Sequence, residues 1–220
     1  KYQENIEIPE NLNLEYESRE SENKFRFEHT YRNEGWKINV GTGVQNVQYY
    51  NSTFNKTVID GSVRTIDFTS NLSFEKFELF GQVSKSVLEN RLALSFGIRT
   101  DFNNYSSDMG NPLEQLSPRF SASYSLNTKW NANFNVGRYY QLPAYTVMGY
   151  RNSAGELVNK DNGITYISAD HIVAGLEFLP KKATKVTLEG FYKWYGGYPF
   201  TLGDSISLAN LGGDFGVIGN

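Results

Sequence analysis

Six residues between Tyr139 and Arg151 are the best equipped in this sequence to recognise a small molecule: Tyr139, Tyr140, Gln141, Tyr145, Tyr150 and Arg151. A tyrosine offers a flat apolar face and a polar tip, which suits sugars, heme or aromatic siderophores. The segment follows a strand end and enters a long loop, where binding residues concentrate. Tyr139 and Tyr140 also fit an outer ring of aromatics at a membrane boundary. Arg99, Arg119 and Arg138 lie near strand ends and read as inward charges, which would line a lumen, meet an internal plug, or pair with Asp or Glu on neighbouring strands.

Covalent and metal chemistry find little support. His29 and His171 are far apart, and no serine or carboxylate around them suggests a hydrolase triad, so the chain does not read as an enzyme. There is no cysteine, which excludes thiol nucleophiles, zinc-thiolate sites and disulfide scaffolds, and no metal or cofactor is expected. Asp161-Asn162-Gly163 lacks the remaining spacing of a calcium loop and reads as a tight turn. The Asn-x-Ser/Thr triplets at Asn51, Asn55 and Asn71 match the glycosylation pattern as easily by chance as by design. A net charge of −3 is too small to suggest a nucleic-acid partner.

The elements that would position these residues alternate with period two. Phe120, Ala122, Tyr124 and Leu126 share one face with Ser121, Ser123 and Ser125 on the other; after a break at Asn127-Thr128-Lys129, Trp130, Ala132, Phe134 and Val136 alternate with Asn131, Asn133, Asn135 and Gly137. Similar patterns start at Phe25, Trp36, Leu92, Ile172 and Val186, and Phe77 to Val87 forms a less clean one broken by Phe80 and Lys85. Eight strands result. The stretch 1–22 is charged, poor in large apolar side chains and interrupted by Pro9, so a loop or loosely attached strand is expected there. Residues 23–220 are expected to hold the strands.

The connections discriminate between architectures. Tight turns at Arg32 to Gly35, Leu88 to Asn90, Asn127 to Lys129 and Pro180 to Ala183 alternate with long connections at Asn51 to Ser73, Phe102 to Leu116 and Pro143 to Ile167. Short turns at one end and long loops at the other are the habit of outer-membrane barrels. Trp36 and Trp130 both follow tight turns on the apolar face, where an aromatic girdle would lie. The opposite face is rich in Ser, Asn and Gly, which suits a wide, wet or plugged interior rather than a small packed one. The fold expected is therefore all-β: antiparallel up-and-down strands of a transmembrane β-barrel, about eight strands of a larger one. A soluble, sandwich-like carbohydrate- or ligand-binding module is the alternative. No run approaches the roughly 18 apolar residues of a membrane helix, which says nothing against a barrel.

At this point a family resemblance enters. A strand ending in Gly97-x-Arg99-x-Asp101, then Ser117-Pro118-Arg119, then Gly137-Arg138-Tyr139-Tyr140-Gln141-x-Pro143 resembles the barrel of TonB-dependent outer-membrane receptors, and "LEGFYKWYGGYPF" is similar to that family's following strand. The flavour is that of receptors from Bacteroidetes. The resemblance implies a barrel of about 22 strands in the outer membrane of a Gram-negative cell, contact with outer-membrane lipid, and extracellular loops that capture an unidentified scarce nutrient. It further implies import driven by a TonB complex acting on a plug. Neither plug nor TonB box is found in these residues, so the chain reads as a piece of the barrel that could bind but not transport alone.

Overall fold

The computed structural model describes residues 2–8, 11–59, 62–181, 183–201 and 205–210. They form one antiparallel sheet of nine strands: β1 (Tyr2–Ile8), β2 (Asn11–Asn33), β3 (Trp36–Ile59), β4 (Ser62–Val87), β5 (Leu92–Asn103), β6 (Ser117–Ser125), β7 (Trp130–Gln141), β8 (Ile167–Lys181) and β9 (Thr184–Gly196). Spatial order equals chain order, the up-and-down topology expected. Among the described residues no second sheet covers the first, so the sandwich alternative lacks its other half.

Register shows what each face holds. Phe25, Val44, Phe77 and Phe102 sit side by side on four successive strands, as do Val83, Phe96, Phe120, Val136, Ile172 and Tyr192 further along. This face stays bare: Phe25 is 65% exposed and Leu188 74%. Along β5 the apolar positions run from Leu92 to Phe102, about 34 Å of strand, or roughly 26 Å of membrane at the usual tilt near 40°. That matches an outer-membrane apolar band. Trp36 and Trp130 lie on it at the tight-turn end, with Lys85 4.2 Å from the Trp36 ring and Phe178 stacked at 4.4 Å on Trp130.

One expectation needs correction and two are refined. The stretch 1–22 contributes strand from Tyr2, and β2 is paired with β3 from Leu14 onward. The connection Asn51 to Ser73 is no loop either: β3 runs to Ile59, β4 restarts at Ser62, and the two stay in register throughout. Both extensions rise beyond the apolar band, where Glu17, Arg19 and Ser21 replace the outward hydrophobics and the period-two signal disappears. Strand count rises to nine for the same reason.

The irregularities at Phe80 and Lys85 also resolve. Lys85 is outward, beside Trp36. Phe80 is inward, where it fills the space left by Gly41 and carries the Arg26 guanidinium 4.3 Å above its ring.

Candidate lumenal binding site

The inner face of the upper strands is covered by two loops. The β5–β6 loop contains α1 (Ser107–Gly110), whose first turn is capped by the Ser106 hydroxyl accepting from Met109 N. The β7–β8 loop contains α2 (Tyr145–Met148) and α3 (Val158–Asp161). These turns are too short to stand alone; tertiary packing holds them. Val47 and Tyr49 of β3 and Leu72 and Phe74 of β4 bury Tyr105, Met109, Met148 and Tyr166 from the loops. Buried Asn103 donates to Tyr166 Oη at 2.8 Å and accepts from Tyr105 N at 2.9 Å, while Tyr105 Oη donates to Met148 O at 2.7 Å. Burial pushes the Tyr105 and Tyr166 hydroxyls up to about 12, so both remain neutral, Tyr105 donating and Tyr166 accepting.

A second tie joins α2 to β2. Tyr145 Oη donates to Glu22 at 2.5 Å, and Lys76 donates to both Glu22 (2.8 Å) and Tyr145 Oη (2.9 Å). Burial alone would raise the Glu22 carboxyl, but hydrogen bonds from Lys24, Lys76 and Tyr145 outweigh it and hold it at about 2 against an ordinary 4.5. A depressed folded pKa means stability present above 4.5 and lost as pH falls towards 2. The stability difference between the native protein and Glu22→Gln is therefore expected to be constant from pH 7 to 5 and to shrink between pH 4.5 and 2. Urea unfolding of the intact protein in detergent, repeated across that range, checks it; a difference that persists at pH 2 contradicts the assignment.

Beneath this cover lies a cavity of about 950 Å³. Residues 141–147 form one side, and its wall draws on β2 through β8, so the sheet curls around it. The lower wall carries a charge cluster. Glu78, with its side chain only 7% exposed, accepts from Arg99 at 2.5 Å and Arg26 at 3.3 Å, and Arg99 also donates to both Asp101 oxygens at 2.6 and 2.7 Å. Among the described residues no three His, Cys, Asp or Glu side chains gather to hold a metal.

The structure divides the expected binding residues. Tyr140, Gln141 and Tyr145 line the cavity, as do Arg99 and Arg119. Tyr139 lies on the inner wall against the Arg119 guanidinium, 4.3 Å away. Tyr150 packs edge-on against Phe68 at 5.2 Å, and Arg151 donates to Ser70 Oγ, Asn71 O and Gly155 O, so these two secure the loop rather than face the cavity.

Arg138 requires a correction. It shares the outward face with Val136 and forms a two-pronged pair with Asp170 of β8 at 2.6 and 2.7 Å. No irregularity interrupts the β7–β8 register, so the alternation that puts Trp130 and Phe134 outward carries Arg138 with them. Its level explains why a charge is tolerated there. Above Val136 and Ile172 the apolar band ends, and the pair sits at its upper edge.

The curled sheet, apolar outside and charged inside, has a known counterpart. A model of the family described as TonB dependent receptor-like, beta-barrel matches residues 3–217. The chain belongs to that family. A search of curated protein sequences finds no match. Among solved structures, the fold is similar to that of the copper transporter OprC, which is 17% identical, with a TM-score of 0.60 over 83% of this chain and 31% of that one. The FpvAI–pyocin S2 complex (13% identity, TM-score 0.54, 84% and 27% covered) and the alcaligin outer-membrane receptor FauA from Bordetella pertussis (12%, 0.52, 83% and 30%) share it too. At these identities the likeness is one of fold. The chain spans less than a third of the length of each, a TonB-dependent receptor β-barrel in part.

Glu22, Lys76, Glu78, Tyr105 and Tyr166 were missed by sequence reasoning. Glu78 carried a signal, an acidic residue at an inward position next to the anomalous Phe80; the Glu22–Lys76 pair, 54 residues apart, carried none.

Proposed function

We propose that this chain is the ligand-holding wall of an outer-membrane nutrient receptor. In the intact protein, a scarce nutrient enters beneath the extracellular loops, binds in the cavity beside Tyr140, Gln141 and Tyr145, and is released inward by work that a TonB complex performs on a plug. The observation that supports this reading most is the coincidence of two levels. The loop segment 141–147 closes a cavity on the inner face just where the apolar band on the outer face ends. A ligand held there is outside the lipid but already inside the barrel wall. The role is that of a receptor and transporter in a Gram-negative outer membrane, with lipid as its lateral partner, rather than of an enzyme.

The test uses the intact protein in its own cell. Spent medium from the parent strain and from a strain lacking the protein is compared by mass spectrometry, with and without a protonophore that collapses the inner-membrane gradient. One compound is expected to be depleted only by the energised parent, and the protein to fractionate with the outer membrane. Identical depletion in both strains, or recovery of the protein from the soluble fraction, rejects the reading.

A further inference from the structure

We propose that Arg119 is a preorganised carboxylate-binding centre in this cavity; the proposal rests on the lumenal reading above. Arg119 leaves β6 on the inner face, opposite Gly137 of β7. A Cβ at Gly137 would lie 3.1 Å from Arg119 Cγ and 3.3 Å from the Tyr139 ring and hydroxyl, so glycine makes room for both side chains. The guanidinium then rests 4.3 Å from the Tyr139 ring centre, and that ring lies 4.7 Å from the His171 ring on β8. Three neighbouring strands thus fix the orientation of one cation.

Among the described residues that cation has no hydrogen-bonding acceptor. The other basic side chains of the cavity wall are matched, Lys76 by Glu22 and Arg99 by Glu78 and Asp101. Among the described residues Arg119 makes no ion pair, and its Nε is buried without a hydrogen-bond partner. The Thr146 hydroxyl, buried and unpartnered as well, lines the same cavity. Leaving desolvated donors unmet is costly, and two in one cavity point to a missing acceptor group. A planar fork pairs through both prongs with a two-oxygen anion, and a carboxylate can lie wholly in its plane as a tetrahedral phosphate cannot; a neutral sugar hydroxyl satisfies only one prong. The cavity volume is that of a small-molecule site. The acceptor is accordingly a carboxylate, delivered by a small ligand or by another part of the same intact polypeptide.

The two sources separate in one set of measurements on the intact protein in detergent. Citrate and its uncharged trimethyl ester are titrated by calorimetry against the native protein, Arg119→Lys and Arg119→Gln, and urea stability of each is followed from pH 7 to 3. If a ligand brings the carboxylate, citrate binds the native protein, at least tenfold more weakly to Arg119→Gln and at intermediate strength to Arg119→Lys, and the ester binds none. If the polypeptide brings it, citrate does not bind, and Arg119→Gln is less stable than native by a margin that vanishes as pH falls through the carboxylate range. Citrate binding unaffected by Arg119→Gln overturns the proposal, and so does absence of binding with a pH-independent or absent stability difference. Neither result touches the receptor reading, whose test is nutrient depletion by cells.

Discussion

Gly41→Val is expected to destabilise the heat-resistant folded form of the intact protein by about 3 kcal/mol. Gly41 is on the inner face of β3, and a Cβ there would stand 2.2 Å from Phe80 Cζ and 2.6 Å from the Phe27 carbonyl oxygen. The ring can swing aside. The carbonyl belongs to the β2–β3 ladder and cannot move without opening hydrogen bonds on both strands. Overpacking costs about 1–3 kcal/mol in ordinary cores, and a backbone clash puts this site at about the upper end. The urea midpoint of the protein in detergent, with the gel mobility of the unheated sample, measures the loss. Adding Phe80→Ala should restore only part of it; full restoration would mean that the ring alone opposed the side chain.

The second large effect is expected at Glu78. Its carboxylate is nearly buried and stands between the guanidiniums of Arg26 and Arg99. Glu78→Leu leaves both cations facing an apolar group. Removing one partner of a buried pair costs about 3–5 kcal/mol, and the half exposure of Arg26 lowers the expectation here to about 2–3 kcal/mol, because water screens that side. Arg99 retains Asp101 and Arg26 retains Glu28; because Asp101→Leu strips Arg99 of its last carboxylate, Glu78→Leu with Arg26→Met should recover more stability than Glu78→Leu with Asp101→Leu. Equal recovery in the two double variants, read from the same urea midpoints, would contradict this account.

Both sites show what the sequence discloses and what it hides. Alternation was legible wherever one face of the sheet is apolar and the other polar: Phe120 to Tyr124, Trp130 to Val136 and Leu92 to Ile98 take the faces and turns that their pattern implies. It failed in the upper parts of β2, β3 and β4, because a strand wet on both faces has no reason to alternate. The placement of Arg138 was legible yet easily misjudged, since a charge invites an inward assignment even when parity points outward. For the cavity lining, Tyr140, Gln141 and Tyr145 could be picked from their position at and just beyond a strand end. Tyr150 and Arg151 could not be separated from them, because only the folded loop directs them to Phe68 and Ser70. The orphaned state of Arg119 is a property of three strands at once and has no signature in any one of them.

That every strand lies beside its chain neighbours has a kinetic consequence. The sheet can grow by one strand at a time, each new arrival finding its template in the strand just laid down, with no search among distant segments. A lesion such as the one at Gly41 then arrests growth at a definite strand instead of dispersing the whole chain. What accumulates is a partly built sheet with an open, hydrogen-bond-hungry edge, and its natural fate is capture by another copy or by a protease.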